Sequence, residues 1–525
     1  MLNNPFLRRA ELQFQEGSLA EALRTARMGL SLFPADTALL ELAATCASSL
    51  GDDEYALSCW QRWLELEPAA LSALNHRGLT LHRLQRPAAA EAAFLQALAL
   101  YPEEAALHSN LGLLLESQGR LAEAERAQRR AGQLAPGAAE IWANLAGVLL
   151  KAGREEEAES LYRQAIRLQP EDLAAYSNLA VLLSDSGRQV EAEACFRRAL
   201  SFAPDYLPLQ MNLGQLLLQQ GRLSEGWPYY EGRQHIHQKW LGGALPSCPQ
   251  WQGQALAGQR IVVMPEQGLG DEIQFSRYLP WLKAQGAAQV TLVCRPSQKA
   301  LLQTLPGPDL VLDLDAAPDV LASHDYWVFL LSLPRHAGTE LASIPATIPY
   351  LFPDPQRVAR LAPLLAGAGR RVGLVWRGNP RHANDESRSL PDLQVLAPLW
   401  AVAGQRFFSL QKSAAACSDA PAGQPLTDLG PALVDFADTA AVLSQLDLLI
   451  TVDTAVAHLA GALGRPCWLL LPCYKTDWRW LLGRSDSPWY PSLRLFRQER
   501  RGDWQEPVAR LAEALRQLPA GAGET

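Results

Sequence analysis

Proline stands at positions 34, 68, 102, 136, 170 and 204, a constant step of 34 residues. A chain that holds one period over that length is a stack of like units, each packing on its neighbours, rather than one core built once. Within the units glycine recurs at Gly17, Gly51, Gly119, Gly153, Gly187 and Gly221, with Gln85 as the one departure. Glycine suits a tight turn that needs positive φ. Small residues follow five positions later, at Ala22, Ala56, Ala90, Ala124, Ala158 and Ala192, where paired helices approach closely. Large ones follow at Trp60, Phe94, Tyr162 and Phe196 and fill the space between units. The columns predict a helix, a turn, a second helix and a proline stop in every unit.

This pattern resembles the tetratricopeptide-repeat family over residues 3 to about 235. The first unit is degenerate, and the last, beginning near Leu207, has Gly226 in the alanine column and runs into WPYYEGRQ. The resemblance implies an α-solenoid over residues 1–235, six repeats plus a partial one, whose inner surface takes an extended peptide or another protein as partner. One column is more specific: Asn110, Asn144, Asn178 and Asn212 precede the signature leucine. A carboxamide both donates and accepts, so such a ladder can hold a peptide backbone without reading its side chains. It resembles the ladder that grips acceptor polypeptides in O-GlcNAc transferase. The other reading of the column is packing between repeats.

Residues 236–258 lose helical periodicity and gain Gly and Pro, as a connector does. Short apolar runs then alternate with amphipathic stretches: IVVMPE, VTLVC and the runs at 309–314 and 326–331 in a first unit (259–360), then VGLVW, RFFSLQ, DLLITV and CWLLLP in a second (361–525). Such alternation implies doubly wound parallel sheets, with ligand sites beyond the carboxyl ends of the strands. The expected fold class is therefore α followed by α/β: a helical-repeat solenoid, then a GT-B pair of Rossmann-like domains enclosing a cleft. A formal net charge of -8 gives no reason to expect nucleic acid as a partner. No run approaches the length of a spanning helix, and a soluble, cytoplasmic protein is expected. The eight cysteines, Cys417 among them, are scattered without metal-ligand spacing and are expected as free thiols.

Two strand-to-helix motifs carry the candidate chemistry. Glu266-Gln267-Gly268-Leu269-Gly270-Asp271-Glu272 places glycines where backbone can approach a ligand and Asp271 at a helix start. There the aspartate either caps the helix or points into a cleft. The second motif runs from Asp447 through Asp453-Thr454-Ala455 and His458 to Pro466. His458 reads as a cleft residue or as a satisfied core histidine. Trp376-Arg377-Gly378-Asn379 and Ser409-Leu410-Gln411-Lys412 close two further strands, where Arg377 and Lys412 can neutralise a diphosphate.

GLGDEIQFSRYLP, followed about 180 residues further on by VDTAVAHLAGALGRPCWLLLP, resembles the bacterial heptosyltransferase group, and its relatives fused to tetratricopeptide repeats. The resemblance implies that Asp271 is the general base on an acceptor hydroxyl, and that Asp453, Thr454 and Ala455 bind a nucleotide-sugar donor. Gly268, Gly270, Arg377, Asn379, Gln411, Lys412 and His458 are expected around that donor. Asp313-Leu-Asp315 has the spelling of a metal-binding Asp-x-Asp but falls in the first domain, so no metal and no cofactor beyond the nucleotide-sugar co-substrate is expected. With one carboxylate in the base role, a single displacement gives inversion. The aromatic block from Asp477-Trp478-Arg479-Trp480 to Trp489-Tyr490 reads as core packing or as a stacking surface for a ligand. The expected activity is transfer of a sugar to a protein acceptor. The alternatives are a non-catalytic repeat adaptor and a transferase acting on glycan or lipid.

Overall fold

The computed structural model describes residues 4–234, 245–314, 321–382, 384–412 and 426–519. Positions 236–244 of the expected connector, Asp315 and Cys417 lie outside them. Contacts divide the chain into two compact units, Met1–Ala203 and Pro204–Thr525. The repeat columns run to about 235; by contacts, the last helical hairpin clusters with the α/β part.

The first unit is a run of paired helices, from Pro5–Gln15 to Gln189–Phe202, forming the repeat solenoid. Its turns have the geometry that the glycine column predicts, with φ between 75° and 84° from Gly17 to Gly187. Gln85 keeps the same left-handed backbone at φ 56° although it carries a side chain. The alanine column is fully buried throughout. Where the aromatic column would place a ring, Gln128 is buried instead; its Nε2 donates to Ser109 O at 2.9 Å and its Oε1 accepts from Ser109 Oγ at 3.1 Å. A second period appears on the flank of the stack. Arg120, Arg154 and Arg188 each bridge a glutamate of the preceding unit and one of their own, Glu91 with Glu123, Glu125 with Glu157 and Glu159 with Glu191, at 2.5–2.8 Å. These pairs are a third or more exposed on the arginine side, so they fix register more than they stabilise.

The second unit begins with the hairpin Leu207–Gln219 and Leu223–Tyr230. Here Gly226 replaces the column alanine because a Cβ would lie 2.8 Å from Leu218 Cγ and Cδ2. Strands β1 (Arg260–Met264), β2 (Gln289–Cys294), β3 (Leu310–Asp313) and β4 (Tyr326–Phe329) form a parallel sheet in the order β3-β2-β1-β4. A second parallel sheet, in the order β10-β9-β8-β5-β6-β7, consists of β5 (Arg370–Val375), β6 (Gln405–Ser409), β7 (Leu426–Asp428), β8 (Leu448–Val452), β9 (Cys467–Leu471) and β10 (Leu493–Arg497). The central strands are apolar at nearly every position, as strands covered on both faces must be. One apolar core joins the hairpin to both sheets, from Leu218 and Trp227 through Ile261 to Leu495.

Topology then locates a site. In each sheet the strand order reverses beside one strand, between β1 and β4 and between β5 and β8, and a crevice opens beyond the carboxyl ends there. The residues following β1 are the Gly-Leu-Gly-Asp segment. Arg377 follows β5, and Asp453 and Thr454 follow β8. Among the described residues no helix is long and apolar enough to cross a membrane.

Candidate functional site

The two crevices open into one cavity of about 750 Å³. Helix Leu269–Phe275 leads away from β1 and helix Ala455–Ala462 from β8, and the two pack against each other. Gly270 makes that approach possible. A Cβ there would lie 2.6 Å from His458 Cδ2 and 3.5 Å from Ala455 Cα. The His458 ring is buried, stacks on Trp480 at 5.1 Å and 27°, and has Nδ1 3.2 Å from the Tyr490 hydroxyl. Burial, with the Arg479 charge nearby, holds its pKa down to about 3, so it is a neutral imidazole at physiological pH.

Asp271 occupies both of the roles that the sequence left open. Its Oδ2 accepts from Gly268 N at 2.7 Å, closing the helix start, and it lines the cavity with 15% of its side chain exposed. Its Oδ1 is ion-paired with Arg479 Nη2. Arg479 is only 4% exposed; its Nη1 donates to both Asp477 carboxylate oxygens at 2.9 Å. Burial raises the Asp271 pKa, and Arg479 works against that rise. Burial also acts on Asp477, but there the Arg479 charge and hydrogen bonds prevail and the carboxyl lies below its ordinary value. Asp453 differs: burial and the neighbouring Asp477 charge push it up to about 6.

Six cationic side chains line the cavity, Arg295, Arg377, Arg381, Arg388, Lys412 and Arg479, against the three carboxylates Asp271, Asp453 and Asp477. In a chain of net charge -8 this is a local reversal of sign, suited to an anionic ligand. Arg388 lies beside Asp385, 3.5 Å from Nε to Oδ1, and Arg295 is ion-paired with Glu272. Lys412 donates to Leu433 O, and Arg377 to Pro391 O.

All the residues expected around a donor line this one cavity: Gly268, Gly270, Arg377, Asn379, Gln411, Lys412, Asp453, Thr454, Ala455 and His458. Their side chains do different things. The Gln411 carboxamide is occupied by backbone, accepting from Trp376 N at 3.3 Å and Arg377 N at 3.2 Å and donating to Arg377 O at 3.1 Å, so it ties the end of β5 to the end of β6. Asn379 Oδ1 accepts from Arg381 N at 3.0 Å and shapes the loop. In the repeats, Asn110 Nδ2 donates to Asn75 Oδ1 at 2.7 Å and Asn144 Nδ2 lies 3.4 Å from Ser109 Oγ, while Asn178 is exposed. Two of the column are thus engaged between repeats. Asn212, the fourth, lies in the hairpin that opens the second unit and also has an interaction partner.

The aromatic block is core: Trp478, Trp480, Trp489 and Tyr490 are each at most 4% exposed. Sequence reasoning set Asp477 and Arg479 aside with it, although Arg479 pairs with Asp271 and Asp477 pairs with Arg479. The signal was a charged pair embedded in an otherwise apolar run, since burying such charges requires partners. Asp313, half of the Asp-x-Asp spelling, is ion-paired with Lys299 at 3.0 Å; Asp315 lies outside the described residues.

Comparison with known proteins finds a repeat region followed by a transferase-like segment. Residues 13–232 match the family model described as the cilia and flagella-associated protein 70 C-terminal domain, a tetratricopeptide-repeat region. Residues 407–470, from β6 to β9, match glycosyltransferase family 9 (heptosyltransferase). The chain thus joins a tetratricopeptide-like N-terminal domain to a segment of the family 9 heptosyltransferase type. It is 30% identical over 330 residues to Protein FlbA of Caulobacter vibrioides, a match covering 57% of this chain and 53% of FlbA. The chain therefore spans about half the length of that curated relative. Among solved structures, a tetratricopeptide repeat protein from Parabacteroides merdae is 21% identical, covering 41% of this chain and 86% of its own, with a TM-score of 0.37. A thermophilic repeat protein of Thermus thermophilus is 25% identical, covering 34% and 97%, with a TM-score of 0.31.

Proposed function

We propose that the chain is an inverting, metal-independent glycosyltransferase of GT-B type, moving a sugar from a nucleotide-sugar to a protein acceptor engaged by its repeats. The observation that carries this reading is the cavity where Gly268–Asp271 and Asp453–Ala455 meet, lined by six cations against three carboxylates, with the family 9 match covering the Asp453 side. The donor diphosphate lies toward Arg377, Arg388 and Lys412, beside the N-terminus of helix Ala455–Ala462. In this role the cations do the work that a bound metal does in other transferases. Asp453 accepts from sugar hydroxyls.

Asp271 takes the acceptor proton. Its carboxylate has further lone pairs beyond those engaged by Gly268 and Arg479. The acceptor oxygen forms its bond to the anomeric carbon as the bond to the diphosphate breaks. The negative charge leaves on the nucleoside diphosphate, and one displacement inverts the centre. The repeats supply the acceptor, with Asn178 the column member best placed in solvent to meet a peptide.

A second reading is binding without transfer, favoured by the engagement of both Asp271 oxygens. Purified protein, a panel of nucleotide sugars and a cell lysate distinguish the two. Nucleotide release with at least one donor, lost in Asp271→Asn, is the expected result. Release with no donor in the panel, or full activity in Asp271→Asn, would leave only the binding reading. Loss of protein labelling on Asn178→Ala, with donor hydrolysis kept, is the expected sign of acceptor capture by the repeats.

A further inference from the structure

We propose that the last helical hairpin, Leu207–Gln219 and Leu223–Tyr230, is a positioning element of the transfer site: it holds the Asp477–Leu481 turn and, through Arg479, the Asp271 carboxylate. This rests on reading the cavity as a transfer site.

The first observation is backbone strain. Among the described residues, four that are not glycine have positive φ: Gln85, Gln267, Lys475 and Leu481. Gln267 lines the cavity, and Lys475 and Leu481 bracket Asp477 and Arg479, which line it too. Side-chain-bearing residues keep that conformation only where their surroundings impose it. The hairpin contacts Gln267 and the segment from Lys475 to Leu481. Gln267 Nε2 donates to Tyr230 Oη at 2.9 Å. Gln219 Nε2 donates to Thr476 O at 3.3 Å, one residue after Lys475. Leu481 Cδ1 lies 3.9 Å from where a Cβ on Gly221 would be, so the hairpin turn abuts it.

The second observation is a chain of contacts between these points. Trp478 is 4% exposed and meets Trp227 at 5.5 Å and 85°, and Tyr230 at 5.7 Å and 69°. The next residue, Arg479, lays its guanidinium over the Trp478 ring at 4.5 Å and is ion-paired with Asp477 and Asp271. The hairpin is itself fixed on the first α/β domain. Trp227 Nε1 donates to Thr339 O at 2.9 Å, and the buried Arg233, just past the hairpin, pairs with the buried Glu266 at 2.7 Å. It therefore bridges the domain carrying Asp271 and the domain carrying Arg479. A repeat hairpin that only continued a solenoid would have no need of either attachment.

The test uses full-length protein carrying Gln219→Ala, Trp227→Leu or the conservative Trp227→Phe. Three quantities are read: amide hydrogen exchange over residues 476–481, affinity for UDP, GDP, ADP and CMP, and turnover against pH with the donor that wild type uses. In Gln219→Ala and Trp227→Leu, exchange in the turn is expected to rise about tenfold as its local opening becomes easier. In the same variants kcat is expected to fall about tenfold through misplacement of the base. Nucleotide affinity and donor KM should stay within about twofold, because Arg377, Arg388 and Lys412 are held from other segments, at Pro391, Asp385 and Leu433. Asp271 faces Arg479 and Asp477 from the turn and Arg295 from the end of β2. Loosening Arg479 removes its nearest cation, so the acid limb of kcat moves to higher pH. Trp227→Phe should recover most of the loss.

Unchanged exchange in folded variants overturns the hold on the turn. Altered exchange with unchanged kcat overturns the positioning role. If kcat, KM and melting temperature all worsen together and Trp227→Phe rescues none of them, the hairpin is structural only. If wild type moves no sugar from any donor, the transfer reading fails and the positioning of a transfer site fails with it; faster exchange would then report only a structural hold.

Discussion

The repeats and the cavity both depend on glycine, for opposite reasons. At Gly17, Gly51, Gly119, Gly153 and Gly187 the backbone is left-handed and a Cβ would meet nothing within 4 Å, so glycine is there for φ alone. Gly268 has φ -95°, open to any residue, and Gly270 has no positive φ; at Gly270 a Cβ would strike His458. Glycine is there for space. The left-handed positions at the cavity are held by Gln267, Lys475 and Leu481 instead. A repeat relieves strain wherever it can, because every unit bears the same turn. The cavity retains strain and supports it with neighbouring contacts, which is the pattern expected where geometry serves chemistry.

The largest expected effect falls on a residue with no counterpart in any repeat column. Asp271→Asn keeps shape and can still accept from Gly268 N, so folding should change little. Transfer should fall by about 10²- to 10⁴-fold, the ordinary contribution of a general base. The check is product formation under saturating donor, alongside nucleotide affinity, which should hold. Gly270→Ala comes next. The added methyl forces the helices Leu269–Phe275 and Ala455–Ala462 apart, at a cost of about 1–3 kcal/mol in unfolding free energy. The double variant Gly270→Ala, His458→Ala should regain much of it, because the clashing ring is gone. Denaturant titration of the four proteins of that cycle gives the coupling directly. Additive losses would mean that Gly270 is not there for space.

Much of this was legible in the sequence for physical reasons that differ by region. A 34-residue period writes each packing demand six times, so the alanine and glycine columns are legible from spacing alone. Strand-to-helix junctions were also legible, because apolar runs and the glycines after them mark β1 and β8. What periodicity could not show was contact between distant segments. Arg479 and Asp271 are separated by 208 positions, and nothing local in Asp477-Trp478-Arg479-Trp480 identifies a partner. The same limit explains the hairpin, whose helical pattern is that of a repeat while its attachments are to the α/β domains. Gln411 and Asn379 line the cavity, but which backbone groups occupy their amides depends on loop conformation, which composition does not encode.

A smaller effect sharpens the contrast in charge. Asp453 is raised from an ordinary carboxylate value to about 6. A folded-state pKa above the unfolded one means that the folded protein holds the proton more tightly. The associated stability is fully present below about pH 4 and is lost as pH rises through about 6. At pH 8 the buried charge therefore costs the fold up to about 3 kcal/mol, the energy of about two pKa units. Asp453→Asn is expected to raise the melting temperature at pH 8, with the gain vanishing toward pH 4, while weakening donor binding. Thermal melts across that range check the sign. A variant less stable at pH 8 would show that Asp453 serves structure rather than ligand.

The smallest effect lies back in the repeats and tests the other half of the glycine comparison. Gln85 adopts φ 56° in the turn where the other units have glycine. Its side chain makes none of the hydrogen bonds that support Gln267. A left-handed residue with a Cβ is strained by about 1–2 kcal/mol, and the greater freedom of glycine in the unfolded chain offsets part of that relief. Gln85→Gly should therefore stabilise the repeats by about 0.5–1 kcal/mol, and Gly153→Ala should destabilise them by about 1 kcal/mol. Chemical denaturation of the full chain, followed by far-ultraviolet circular dichroism, can resolve both. The same exchange at the cavity, Gln267→Gly, should run the other way in function: the backbone relaxes, the Tyr230 contact is lost, and transfer falls even if stability does not. Should Gln85→Gly and Gln267→Gly behave alike, the strain at the cavity would have no more purpose than the strain in one irregular repeat.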